Sequence, residues 1–277
     1  GLAMTASLKG GNSTVNLDLQ MKGGALGGKI TAPVFDLEDI GRFAALNDAF
    51  VEFSPASETI DFSGQAIDLD MAAEKLKKGD AALGHMNMPV HLADNVLKVG
   101  PLAGVFGGGA PSGTMEINAA EKPATFKVTG ALKNWHYAQI NDAVDEGAAD
   151  INVAVTGAGA TWAELWNSLQ GDVVFVAGEG KLASGMLNLW GGGLMAAMLP
   201  DLKPEEALIL NCAIADFRIE SGVGKPAALF LDMSRLSVTG DGEINIPQNK
   251  VDIRLTPAMK DVSVGTLSAV PVRISGP

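Results

Sequence analysis

Few side chains in this 277-residue sequence could do chemistry. The three histidines are His85, His91 and His136. His85 and His91 flank Met-Asn-Met-Pro at a spacing that suits no helical zinc site, and no His-Glu-x-x-His occurs. They read as surface or loop residues, and His136, inside Asn-Trp-His-Tyr, reads as a packed one. Cys212 is the only cysteine and lies in the apolar run Leu-Ile-Leu-Asn-Cys-Ala-Ile, which reads as a buried, inert thiol. Gly178 to Ala183, Gly-Glu-Gly-Lys-Leu-Ala, fits a dinucleotide fingerprint, with Asp201 downstream where an acid is wanted. Glu179 would aim a carboxylate at the pyrophosphate, however, and no strand–helix alternation surrounds it. A hairpin turn leading into a helix fits better. Gly107 to Ala110 lacks the Lys-Ser/Thr of a phosphate loop and reads as a bulge or turn. The acids Glu74, Asp80, Asp142, Asp145, Glu146, Glu205 and Glu206 are scattered, and nothing in the spacing forces any two together. The expectation is a protein that is not an enzyme, with no cofactor and no metal site.

Composition narrows the class further. Net charge is −12, and no basic stripe is present, which excludes nucleic acid as a partner. One cysteine excludes an internal disulfide framework. At 47% hydrophobic the chain can bury a sizeable core, but only 5% is aromatic, so aliphatic side chains and Met must fill it. No signal peptide stands at Gly1, and the sequence reads as a fragment of something longer. The uncharged run Leu182 to Pro200 approaches the length of a membrane span, but its glycines, serine and asparagine favour an amphipathic or half-buried helix. Leu187, Trp190, Leu194 and Met198 form its apolar stripe.

The elements are mostly strands. Apolar residues alternate with polar ones in Ser13 to Met21 (Val15, Leu17, Leu19, Met21) and in Gly64 to Met71 (Ile67, Leu69, Met71). The same period recurs with Met115 and Ile117, Phe126 and Val128, and Ile151, Val153 and Val155. It returns late in the chain with Leu236 and Val238, Ile244 and Ile246, and Val251, Ile253 and Leu255. This is the signature of strands with one face apolar and one in water. Asp241-Gly242 predicts a hairpin, and Pro247 with Asn249 predicts the next reversal. Strands joined so closely are antiparallel, so Arg235 to Pro257 reads as a meander. Three helices are predicted: Phe35 to Leu46, capped by Asp36; Thr161 to Leu169; and Leu187 to Leu199. The second has a capping box of Thr161 and Glu164, an apolar stripe of Trp162, Leu165, Trp166 and Leu169, and Gly171 to end it. No clean linker divides the chain, which reads as a single unit over 1–277. Ala72 to Gly84 is the best candidate for an internal boundary, or equally a polar loop.

An antiparallel sheet with one apolar face must hide that face. Helices are few here, so a long meander that coils without closing would leave an apolar trough. Exposed apolar area of more than a few hundred Å² marks a binding surface. Acyl chains suit such a surface, because they need area and no specific polar partner. Periodicity alone leaves a closed sandwich equally open.

Several segments resemble the AsmA family of bacterial envelope proteins. Leu97 to Ala120, "LKVGPLAGVFGGGAPSGTMEINAA", resembles its Gly-Pro-Leu entry, glycine turn and strand. Gly157 to Gly185, "GAGATWAELWNSLQGDVVFVAGEGKLASG", looks like its strand–short helix–strand block. Leu210 to Pro257, with its Ser-Gly-Val turn and Thr-Gly-Asp-Gly-Glu-Ile, looks like the block that follows, and "VPVRISGP" resembles the closing signature. The match covers about Leu92 to Pro277. After the glycines the family usually shows a polar or basic residue, whereas this chain has Ala110 and Pro111.

The resemblance implies a periplasmic, Gram-negative protein held to the inner membrane by a segment outside this sequence. It implies a mainly β fold: a long, twisted antiparallel meander forming an open hydrophobic groove with a few short helices. Large relatives bridge the two membranes and conduct phospholipid, and the family is tied to outer-membrane assembly. The leading expectation is therefore a lipid-binding groove for phospholipid or another acyl lipid. Its lining would be Val15, Leu17, Leu19, Ile117, Phe126, Val128, Val153, Ile244, Ile246, Val251 and Ile253. The helices carrying Trp162, Leu165 and Trp166, and Leu187, Trp190 and Leu194, would plug or cap it. A second expectation is a structural or assembly factor with a closed core that acts through envelope protein partners. A third, a carbohydrate-active enzyme, would need clustered acids and aromatics that are not evident.

Overall fold

A computed structural model describes residues 1–39, 59–137, 144–182, 208–260 and 270–276. Fifteen strands form one sheet in chain order. They are β1 (Leu2–Gly10), β2 (Ser13–Lys22), β3 (Ala25–Asp36), β4 (Ala66–Lys78), β5 (Ala81–Ala93), β6 (Val96–Phe106), β7 (Ala110–Asn118) and β8 (Ala124–Trp135). Then come β9 (Val144–Gly159), β10 (Gln170–Leu182), β11 (Leu208–Glu220), β12 (Val223–Met233), β13 (Leu236–Asn245), β14 (Lys250–Met259) and β15 (Val272–Gly276). One helix, α1 (Trp162–Asn167), sits between β9 and β10. β1 and β15 do not pair, so the sheet is open, as the resemblance led us to expect.

Every neighbouring pair is antiparallel except β3 and β4, which run parallel. Parallel neighbours need a crossover, and the end of this one is informative. Ile60 N–H donates to the Ala160 carbonyl at 3.0 Å, and Phe62 N–H donates to Asn95 Oδ1 at 2.6 Å. Asn95 also ties to Ala119 in both directions, at 2.9 and 3.0 Å. The segment therefore crosses the ends of β5 to β8 and reaches α1. On the same rim Gly222 N–H donates to the Leu169 carbonyl and Ile246 N–H to the Gly222 carbonyl. Successive hairpin ends are thus linked to one another outside the ladders.

Local chemistry corrects several expectations. The Asp241-Gly242 pair makes no hairpin. It lies within β13, where Gly242 faces Ile253 of β14 with φ at +130°. A Cβ there would stand 2.0 Å from the Asp252 carbonyl oxygen, so the position takes glycine inside a continuous strand. Gly178 to Gly180 is likewise no turn: it is a bulge inside β10. Ala72 to Gly84 is the β4–β5 hairpin in the middle of the sheet. The predicted helix at Phe35 begins as the end of β3 and a short turn over residues 37–39, and its remainder lies outside the described residues, as does Leu187 to Leu199. The capping box of α1 is present: Thr161 Oγ1 accepts from Glu164 N–H at 3.2 Å and Glu164 Oε2 accepts from Thr161 N–H at 3.4 Å. The helix ends at Ser168, however, before Gly171. Gly171 opens β10 with φ at +144°, and a Cβ would meet the Ala154 carbonyl oxygen at 2.0 Å.

A polar knot pins the β1–β2 turn to the ends of β3 and β4. Asp36, fully buried, accepts from Asn12 Nδ2 (3.1 Å), Glu38 N–H (3.1 Å) and Gly79 N–H (3.2 Å) and pairs with Lys77 Nζ at 3.0 Å. Asp39 accepts from Asn12 N–H and Ser13 Oγ at 2.7 and 2.9 Å. Burial by itself would raise the Asp36 carboxyl; Lys77 and the three N–H donors outweigh it and bring the carboxyl from 3.8 down to about 2.

Two outcomes follow. Gly171→Ala should lower stability by about 1–3 kcal/mol, read as an earlier urea midpoint, because it forces a side chain into a left-handed backbone against a carbonyl. Asp36 has a depressed pKa, so its stabilisation is complete above 3.8 and lost as pH falls toward 2. Acid titration of wild type against Asp36→Asn should show the wild type losing its advantage in that window, and parallel curves would contradict the assignment.

Candidate functional site

The register sorts side chains onto two faces. One ladder of directly opposed residues crosses the whole sheet. From β1 it runs Met4, Leu19, Gly28, Leu69, Val90, Val99 and Met115. From β8 it continues through Val128, Val155, Gly171, Ile219, Gly224, Ile244, Val251 and Gly276. No member carries a charge. At the usual strand spacing of about 4.8 Å, fifteen strands extend the ladder over roughly 65 Å, about twice the hydrocarbon thickness of a bilayer.

The opposite face is charged and self-paired. Asp68, His91, Lys98, Glu116 and Lys127 form one cross-strand row there. Lys98 approaches Glu116 at 3.4 Å, Lys133 approaches Asp150 at 3.1 Å and Arg218 approaches Asp172 at 3.5 Å. Arg273 is bound to Asp252 by two hydrogen bonds, which lower the Asp252 carboxyl. Such exposed pairs contribute little stability each. Their use is to fix which face meets water. His85 and His91 are exposed on this side, and Cys212 is partly buried rather than enclosed. Among the described residues no group of His, Cys, Asp and Glu could hold a metal ion.

Among the described residues, the apolar face is covered at its two rims and not between them. On one rim, α1 and the crossover fold over it. Ile60, Phe62, Leu92, Ile117, Val155, Leu165, Leu169 and Ile219 form a buried cluster against which Trp162, Trp166, Phe126, Val128, Val153 and Ile246 pack. Trp162 stacks on Trp166 at 6.2 Å between ring centroids, and Phe126 meets Trp166 edge-on at 6.4 Å. Gly157 and Gly159 let α1 close on β9: a Cβ on Gly159 would lie 2.3 Å from the Leu165 nitrogen. On the other rim, Ala149, Ala177, Leu210, Met233, Leu236 and Val238 form a second cluster with Trp135 and Tyr137 beside it. There the Gly107–Gly109 run accommodates the aromatic end of β8. A Cβ at Gly107 would meet the Trp135 indole nitrogen at 2.8 Å, and one at Gly108 would meet His136 Nδ1 at 2.4 Å. The run is therefore a packing device. Between the rims Leu69, Met71, Val90, Val99 and Met115 belong to neither cluster and stay only partly buried.

The expected lining residues map onto this face unevenly. Val15, Leu17 and Leu19 lie on the β2 sector beyond both clusters, where Leu2, Met4 and Met21 are exposed. Phe126, Val128, Val153, Ile244 and Val251 share the face and are partly buried. Ile117 and Ile253 are core residues, 5% and 7% exposed. Ile246 sits in the β13–β14 turn and packs toward α1. Trp162, Leu165 and Trp166 do cap the face at one rim, and Leu187, Trp190 and Leu194 lie outside the described residues. Met86, Met88, Val90, Val173 and Phe175 also lie on this face, and sequence reasoning does not find them. Pro89 and the two histidines blur the β5 alternation, and the run Val173 to Ala177 is apolar on both faces, which hides its period.

The chain matches no protein-family model, no curated protein and no solved structure. Among the described residues no helix is long and apolar enough to cross a membrane.

The rims and the middle of the face should respond differently to truncation. Leu165→Ala removes a fully buried side chain under α1 and should cost about 2–5 kcal/mol in urea unfolding. Leu69→Ala, on the partly buried middle, should cost clearly less; equal losses would mean that the middle is closed core.

Proposed function

We propose that the apolar face binds the acyl chains of phospholipid or a similar lipid, and that the protein serves lipid movement in the bacterial envelope. The observation that carries this reading is the uncharged ladder from Met4 to Gly276, whose β4–β7 members Leu69, Val90, Val99 and Met115 belong to neither buried cluster among the described residues. Burying a methylene yields about 0.8 kcal/mol, so a tail laid on this face gains several kcal/mol even when half covered. Partial coverage keeps the association reversible, which suits transfer more than storage. The absence of a charge along the ladder sets no polar demand on the ligand, so heads would stay at the margin in water. The resemblance to the AsmA family supports the envelope setting, a membrane anchor outside this sequence and a place between inner and outer membranes.

The test is lipid extraction and native mass spectrometry of the purified protein, with Leu69→Asp and Val90→Asp, both in the uncovered strip, as variants. Wild type should carry phospholipid. Each aspartate should abolish it while leaving the circular-dichroism sheet signal. A lipid-free wild type, or variants that unfold together with the loss, would favour instead a closed structural factor that works through protein partners.

A further inference from the structure

All eight described methionines lie on the apolar face, and none on the charged one. Met233 and Met259 are in or beside the second rim cluster. The other six are on β1 to β7. Four of these occupy the uncovered middle: Met71 of β4 directly faces Met88 of β5, Met86 is two residues along β5, and Met115 of β7 faces Val99. All four are partly buried. Over β8 to β10 the face instead carries Phe126, Val128, Val153, Val155, Val173 and Phe175, which lie in or pack against the two rim clusters. The uncovered strip is thus the adaptable part of the face and the covered sector the stiff part. β-branched and aromatic side chains hold one or two rotamers. Methionine has three rotatable bonds and a polarizable sulfur, and it reshapes around irregular partners at little cost. Strand propensity does not explain the pattern, since Val and Ile serve a strand better.

Resting on the lipid reading above, we infer that Met71, Met86, Met88 and Met115 are the tail-selectivity element. They let the face accept bent, cis-unsaturated acyl chains as well as straight, saturated ones. A straight chain needs only a smooth strip, which stiff β-branched side chains would supply equally well. A chain with a fixed kink needs a lining that yields where the kink falls and closes behind it.

The experiment compares palmitate and oleate binding to the whole chain, by competition with a fluorescent fatty acid, in wild type and in Met71→Ile/Met88→Ile/Met115→Ile. Wild type should bind both with similar affinity. The variant should weaken oleate binding by about tenfold or more beyond any change in palmitate binding, a difference equivalent to 1.4 kcal/mol. Parallel changes in both ligands, or none, would overturn the selectivity element while leaving lipid binding intact. Failure of wild type to bind either would sink the lipid reading itself, and this inference with it. Should the variant not fold, wild type alone decides the point with diazirine-tailed probes. A cis-unsaturated tail should label the peptides of β4, β5 and β7 preferentially over a saturated one, and identical labelling would refute it.

Discussion

The structure depends on keeping one period-two register in step across fifteen strands. A slip of one residue anywhere would carry every following side chain to the wrong face. The ladder from Met4 to Gly276 shows that no such slip survives, although several bulges and the parallel β3–β4 pair interrupt the pairing. The bulges fall where they can be absorbed. In the β5–β6 pair the irregularity lies between Asn87 and Val90 on one side and Val99 and Ala103 on the other, and the apolar face resumes beyond it. Cross-strand ion pairs on the opposite face reinforce the same register, since a one-residue slip would bring their charges onto the apolar side.

Constancy of register creates a difficulty that the rims solve. An apolar face this long cannot stay fully open, and one covered throughout would be ordinary core. Among the described residues only its edges are covered, by α1 and the end of the crossover over one rim and by the packed ends of β8 to β15 at the other. Glycines make both covers possible, at Gly159 under the helix and at Gly107 and Gly108 under the aromatic end of β8. What remains between is a strip whose side chains meet no second layer among the described residues.

Much of this was legible in the sequence, because alternation is a local signal. β2, β4, β7, β8, β9 and β14 each announce their inward residues, and the capping box of α1 is a four-residue pattern with a direct mechanism. Two of the failures share one cause: glycine is ambiguous. Asp241-Gly242 has the chemistry of a hairpin turn, yet its positive φ falls inside the long pairing of β13 with β14. Gly178 to Gly180 was read as a turn for the same reason and is a bulge. The parallel β3–β4 pair depends on a crossover, and no short-range pattern encodes that. Nor could spacing distinguish Ile117 and Ile253, shut in the core, from Leu69 and Met71 in the open strip, since all four obey the same period.

The most direct measurement places a photo-crosslinking amino acid in turn at Asp68, Leu69, Asp70 and Met71 of β4, in cells, and scores lipid adducts at each. The account predicts adducts at Leu69 and Met71 and none at Asp68 and Asp70. Adducts without that alternation, or none at any of the four, would contradict it.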